Sequence, residues 1–194
     1  AIPHLEHVLD YFKEKKDTAM VAQTLDKTGL LLKMEGKYDD ARDRYLEAEK
    51  INRETGDNAA LGKTLEQLGR IHDEQGRFDE AMDYYHMSLA LREEQDDRAG
   101  IAGLVHQMGN VNFFRGQLDV AFPLYERALQ LNEETQNYKA AGYSQGQIGL
   151  IWQRRGNNKE ALENFRLSLS FFEKDNEEKG MAASHHQIGR ILEG

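Results

Sequence analysis

The sequence predicts an all-α fold, a solenoid of antiparallel helix pairs, and three observations carry that prediction. The first is a period of forty residues. Gly29, Gly69, Gly109, Gly149 and Gly189 keep it, as do Gly36, Gly76, Gly116 and Gly156. So do an alanine column (Ala41, Ala81, Ala121, Ala161), an aromatic column (Tyr45, Tyr85, Tyr125, Phe165) and a small-residue column (Ala48, Ser88, Ala128, Ser168). No insertion breaks the register, and self-similarity of this length marks stacked supersecondary units. The second observation is helical apolar spacing inside each period, and the third is that 194 residues hold only two prolines.

Residues 61–100 show how one period is built. Leu61, Leu65, Leu68 and Ile71 recur at three and four, the stripe of a first helix. Gly69 sits inside that stripe, where it costs about 1 kcal/mol relative to alanine. Close approach of a neighbouring helix is the compensation the spacing suggests. Gly76 ends the helix as a left-handed C-terminal residue. Asp79, like Asp39 and Asp119 in their periods, is placed to cap the second helix. That helix carries Ala81, Tyr85, Ser88, Leu89 and Leu91 on one face, with small residues flanking a large one. Pro123 falls in the first turn of its helix, where proline is tolerated.

Leu68-Gly69, Gly76, Ala81, Tyr85 and Ser88, and again Met108-Gly109, Gly116, Ala121, Tyr125 and Ala128, resemble the tetratricopeptide repeat (TPR) in identity and order. The resemblance covers the whole chain and implies a right-handed superhelical solenoid. The usual repeat has 34 residues, so this is a lengthened forty-residue subtype, with the added residues expected between one helix pair and the next, as at 94–98 and 174–178. Lengthened repeats of this kind occur in scaffold proteins of cell polarity and in bacterial signalling and sensor proteins. The proline that often closes the 34-residue motif is absent.

The register divides the chain into residues 1–20 (second helix of a truncated repeat), four repeats at 21–60, 61–100, 101–140 and 141–180, and residues 181–194 (first helix of a truncated repeat). The opening Ala1-Ile2-Pro3-His4-Leu5 aligns with Ala121-Phe122-Pro123-Leu124-Tyr125. Arrays usually end in polar capping units, and neither end reads as one. The chain therefore reads as a fragment of a longer array. Leu5, Val8, Leu9 and Phe12 at one end, and Ile188, Ile191 and Leu192 at the other, would then be open apolar faces, a route to self-association through uncapped ends.

Composition narrows the function. Thirty-four acidic against twenty-five basic residues give a net charge of −9, a poor match to nucleic acid, whose phosphates need a basic face. No run of eighteen apolar residues is present, so no membrane insertion is expected. The start of the chain has no secretion-signal pattern. The absence of cysteine excludes disulfides and thiolate-ligated metals and fits a reducing, cytoplasmic setting. His4 and His7 share a helix face without a carboxylate pair, and His106 and His186 stand two repeats apart. No metal site, cofactor or catalytic motif follows, and the chain does not read as an enzyme.

Stacked helix pairs make a solenoid whose first helices line the concave face, where ligands of the resembled family usually lie. Counting from the repeat glycine, the inner positions of the first repeat are Gln23, Asp26, Lys27, Leu30, Lys33 and Met34, and the later repeats follow at steps of forty. Gln67, Gln107, Gln147 and Gln187 form a column able to pair with an extended peptide or to bond the neighbouring helix. Phe113 and Phe114 are adjacent, so one of them is free to join Tyr143 as an apolar anchor or both tuck between repeats. Arg70 and Arg154 would read carboxylates of a partner, or pair with Glu66, Asp73 or Glu74. With His106 and Asn110 these give a candidate protein- or peptide-binding set: Gln67, Arg70, His106, Gln107, Asn110, Phe113, Phe114, Tyr143, Gln147 and Arg154. The lysine–asparagine clamp of chaperone-tail TPR domains is not matched, since the equivalent pairs are Asp26/Leu30, Glu66/Arg70, His106/Asn110 and Gly146/Leu150. Asn110 is the one asparagine of its column, so likeness to the polarity scaffolds is partial. The expected function is a protein- or peptide-binding scaffold. The alternative is a regulatory or sensor segment of a larger bacterial signalling protein, gating an attached catalytic or DNA-binding domain.

Overall fold

The computed structural model describes residues 2–193, and among these the chain is ten helices joined by short turns. Ala1 and Gly194, which close the segments 1–20 and 181–194, lie outside the described residues. The chain divides into two compact units, one up to Asp96 and the other from Asp97. The first holds α1 (Ile2–Lys15), α2 (Thr18–Met34), α3 (Tyr38–Thr55), α4 (Asn58–Glu74) and α5 (Phe78–Glu94). The second holds α6 (Arg98–Phe114), α7 (Leu118–Glu134), α8 (Tyr138–Arg154), α9 (Asn158–Asp175) and α10 (Glu178–Glu193). Each helix pair thus begins about three residues ahead of the blocks counted from residue 21.

The added length of the repeat is not in the connections. Only residues 95–97 separate α5 from α6, and the extra residues lengthen the helices, most of which have 17 or 18. First helices end before Gly36, Gly76, Gly116 and Gly156, all at φ between +73° and +77°. That left-handed region is open to glycine and costs other residues about 1–2 kcal/mol. The aspartates expected to cap second helices do not. Those helices start two residues earlier than expected, after Lys37, Arg77 and Gln117, with no side-chain cap. Asp39, Asp79 and Asp119 therefore fall inside the first turn, where a carboxylate faces the positive end of the helix dipole. The side-chain caps belong to first helices. Asp17, Asp57, Asp97 and Asn137 accept from the backbone N–H three residues on, at 2.9–3.2 Å. Because α7 begins at Leu118, Pro123 lies inside the helix and past its first turn, so one backbone hydrogen bond is missing there.

Within a pair the helices run antiparallel, and the glycine column is the reason they come so close. A Cβ built on Gly142 would meet Phe172, and one on Gly149 would meet Phe165, so one helix advances seven residues while the other retreats seven. At the repeat glycines the obstruction is the aromatic column: Tyr45 at 2.9 Å for Gly29, Tyr85 at 2.5 Å for Gly69, Tyr125 at 2.7 Å for Gly109 and Phe165 at 2.8 Å for Gly149. The three tyrosines are fully buried.

In the first unit, Leu32, Ala41, Tyr45, Leu68 and Ile71 form one apolar cluster, and Leu9, Val21, Leu25 and Ala48 form another. The face expected to be open on α1 is therefore largely covered. Leu9 is buried and Phe12 packs against the second cluster, because α2 supplies Val21 and Leu25 beneath them. In the second unit Phe113, Ala121, Tyr125, Ile148 and Ile151 form the corresponding core. On α10, Leu192 is exposed and Ile188 and Ile191 are half-buried.

Gly109 and Gly189 make a matched pair for testing this packing. An added Cβ at Gly109 strikes the Tyr125 ring, whereas at Gly189 nothing lies within 4 Å. Gly109→Ala is expected to lower stability by about 1–3 kcal/mol. Gly189→Ala is expected to leave it unchanged or raise it by up to about 1 kcal/mol through helix propensity. Thermal melts of the two variants check the difference, and equal shifts would contradict it.

Candidate functional site

The inner face of the second unit comes from α6, α8 and α10, which touch in succession while α7 and α9 pack behind them. Two hollows open on this face. One, of about 160 Å³, has an almost wholly apolar wall that includes Tyr143, Leu150, Phe165 and Phe172. Gly142 and Gly146 lie along its floor, and Gln147 and Gln187 border it. The other, of about 250 Å³, lies between His106, Gln107, Asn132 and Tyr143. Tyr143 is 43% exposed and rests edge-on against Phe172, ring centroids 5.0 Å apart, so a single aromatic ring borders both hollows.

The expected pairing of a Phe113/Phe114 ring with Tyr143 is replaced by another arrangement. Phe113 is buried in the core with Tyr125 and Ile148. Phe114, one residue on and 100° around the helix, is 70% exposed, with its ring edge-on to Phe113. The aromatic partner of Tyr143 is Phe172 of α9 instead. Arg154 is already engaged. Its guanidinium lies 3.9 Å from the centre of the Phe113 ring and donates to the Phe113 carbonyl at 3.2 Å. A cation there adds to the bond that this carbonyl already accepts from the Gly116 N–H at 3.1 Å, and it complements the helix dipole.

The polar positions of the third repeat are also spent internally. Asn110 Oδ1 accepts from the Tyr125 hydroxyl at 2.8 Å, and its Nδ2 donates to Gln107 Oε1 at 3.2 Å. Asn110 is thus the partner of the buried tyrosine. His106 places Nδ1 3.0 Å from Ser144 Oγ and its ring edge against Tyr125. Burial lowers its pKa to about 4, so it is neutral at pH 7. In the fourth repeat the Gln147 Oε1 atom is buried with no hydrogen-bond partner, and so is Gln187 Oε1.

The first unit places Gln67 and Arg70 on α4. Gln67 accepts from Lys33 Nζ at 3.2 Å, a bond from the preceding first helix to this one. Arg70 is half-buried beside Asp73, whose pKa is raised by burial and by the Glu74 charge against a smaller lowering by Arg70. Glu66 pairs with Arg92 at 2.7 Å and Glu74 with Lys33 at 3.8 Å.

A regularity ties these details together. The inner positions Asp26, Glu66, His106 and Gly146 stand forty apart, and so do Asn52, Arg92, Asn132 and Phe172, all four buried near the end of the second helices. Each repeat packs one member of the first series near one of the second, and the pair sets the local wall: acid with amide, acid with arginine, imidazole with amide, glycine with phenyl. Phe172 demands the glycines around it, and Gly146 leaves the opening it lines. Asp26 and Phe172 are thus the informative residues that residue type alone did not mark. The second forty-residue column was the available signal.

Asp26 is the most perturbed carboxylate. It accepts from Thr64 Oγ1 at 3.0 and 3.2 Å. Burial raises its pKa from 3.8 to about 6, against smaller lowering effects of the Thr64 bond and the Lys63 charge. A raised acid favours the folded state below its unfolded pKa of 3.8, and that contribution is lost as pH rises through 6. Asp26→Asn is therefore expected to melt above the wild type near pH 8, by at most roughly 3 kcal/mol, with the gap closing near pH 4. Melting curves at both pH values check this, and a pH-independent gap would contradict it.

No helix among the described residues is long and apolar enough to cross a membrane. A family model described as tetratricopeptide repeat matches residues 20–94 and 100–174. A search among curated proteins finds no match. Among solved structures, the chain is similar to BtubC (BKLC) from P. vanneervenii, with 14% identity, a TM-score of 0.85, and 99% of this chain and 82% of that one covered. It is also similar to the TPR-like repeats of a Podosopora anserina protein of kinesin light chain type, with 17% identity, a TM-score of 0.72, and 88% and 85% covered. Identities this low speak to the fold alone.

Proposed function

Because the chain belongs to the tetratricopeptide repeat family, we propose that it is a protein- or peptide-binding scaffold whose main contact is the inner face of α6, α8 and α10. The observation that carries this reading is the apolar hollow beside Tyr143. Its volume, about 160 Å³, is below the roughly 300–1,000 Å³ of small-molecule sites. It suits one apolar side chain of a larger partner, the kind of anchor that dominates peptide interfaces. Gln147 borders the hollow with an unpartnered amide oxygen, the group an extended backbone N–H would satisfy after a small side-chain adjustment. The reading retains Tyr143 and Gln147 as contacts, with Phe114 exposed on the same first-helix series. It assigns Asn110, Phe113 and Arg154 to the scaffold's own packing.

Selection of peptides from a displayed library against the whole chain tests the proposal. The enriched peptides are expected to share an apolar anchor residue. Gly146→Leu, which fills the hollow, is expected to weaken them at least tenfold, about 1.4 kcal/mol. A side chain at this position fits the register, since Asp26, Glu66 and His106 occupy it elsewhere. Peptides held equally well by a folded Gly146→Leu variant would exclude this surface.

A further inference from the structure

We propose that the cavity floored by Asp26 in the first unit receives the guanidinium of an arginine side chain carried by a protein partner. The cavity, about 350 Å³, lies between α2, the end of α3 and the start of α4, and Gln23, Asn52, Asp57 and Lys63 line it with Asp26. It is not the hollow beside Tyr143, and neither site requires the other.

The repeat itself supplies the argument. In the second repeat the corresponding acid, Glu66, is met in cis by Arg92 at 2.7 Å, with Arg92 only 7% exposed. Forty residues earlier the place of Arg92 is taken by Asn52, which is equally buried at 2%. Asn52 is shorter and neutral, and its amide donates to Thr64 Oγ1 at 3.1 Å instead of reaching a carboxylate. The acid has been kept and its arginine removed. The third repeat is a natural control. Asn132 stands at the same position, and an equivalent cavity of about 250 Å³ opens beside it. Asparagine thus leaves a hollow in both repeats, but in the third the inner residue is the neutral His106. In the first it is a carboxylate that accepts from Thr64 and retains further acceptor sites.

The chemistry selects arginine. A planar fork matches both carboxylate oxygens, is weakly hydrated, and stays charged at every accessible pH. The surroundings favour a cation as well. Residues 1–96 hold 22 acidic and 14 basic residues, whereas residues 97–194 hold 12 and 11, so the field of the first unit attracts a basic partner. The charged and titratable groups around Asp26 are Lys27 on α2, Tyr45 on α3, Asp57 capping α4 and Lys63 on α4. Lys63 favours the ionised form but does not offset burial, which leaves the carboxylate short of a positive partner. That a protein carries the arginine rests on the scaffold reading. The cavity does not, and a single blocked amino acid separates the two.

The experiment is a titration of the full chain with N-acetyl-arginine amide, followed by backbone amide chemical shifts. The proposal expects saturable shifts confined to α2, the end of α3 and the start of α4. Binding is expected to weaken about tenfold or more between neutral pH and pH 5, where Asp26 is protonated and arginine is not changed. It is expected to be lost in Asp26→Asn. Asn52→Arg is the sharper variant: it restores the Glu66–Arg92 arrangement in cis, so it is expected to keep or raise the melting temperature while abolishing binding. The lysine analogue is expected to bind more weakly. No saturable shift at tens of millimolar ligand, or binding that persists in a folded Asn52→Arg chain, would overturn the proposal. Should that variant not fold, undiminished binding in Asp26→Asn or at pH 5 would do so. Failure here leaves the Tyr143 hollow untouched, because peptide selection and Gly146→Leu read only that site.

Discussion

The contact between a repeat glycine and a buried aromatic ring governs the rest of this structure. A ring placed where a Cβ would stand brings the two helices of a pair together at one height and in one rotation. Once that height is set, every other column finds its neighbour. Ala41, Ala81, Ala121 and Ala161 are fully buried, each one helical turn ahead of its repeat's aromatic. Glycine in a helix interior costs about 1 kcal/mol each time it is used. Burial of an aromatic side chain contributes more than that, so the exchange is favourable in every complete repeat.

Identical scaffolds leave few positions free to differ, and function collects there. The column running from Asp26 through Glu66 and His106 to Gly146, with its partner column from Asn52 to Phe172, is such a place. Changing one pair converts a closed ion pair into a carboxylate-floored cavity, a neutral hollow or an apolar pocket, without disturbing the glycine–aromatic contacts. The Glu66–Arg92 pair shows the closed state, and Asp26 shows the same acid without its arginine.

The fold was legible because periodicity multiplies weak local signals. A single glycine in a helical pattern says little, but a column at a step of forty says that a neighbour occupies the missing side chain's place, as a ring does at Gly29, Gly69, Gly109 and Gly149 though not at Gly189. Helix starts were less legible: three aspartates of the right type are each the second residue of their helix, while the capping column of Asp17, Asp57, Asp97 and Asn137 carried equal regularity. The candidate site was the least legible part. Inner positions followed from spacing, but occupancy depends on partners outside the helix in question. Asn110 is committed to the Tyr125 hydroxyl and Arg154 to the Phe113 carbonyl, and neither commitment is visible from spacing within one helix. Phe113 and Phe114 could be separated only by knowing the helix rotation, which the core cluster with Tyr125 fixes.

The central claim, that each pair is held by mutual fit of glycine and ring, is tested most directly by a double-mutant cycle at Gly149 and Phe165. A Cβ on Gly149 meets the Phe165 ring at 2.8–3.2 Å. The account predicts that Gly149→Ala costs about 1–3 kcal/mol in the native background and little in the Phe165→Leu background, a coupling above roughly 1 kcal/mol between contacting residues. Denaturant unfolding of the four proteins measures it. Costs that add to within about 0.5 kcal/mol would show that the glycine is kept for some other reason and would contradict the account.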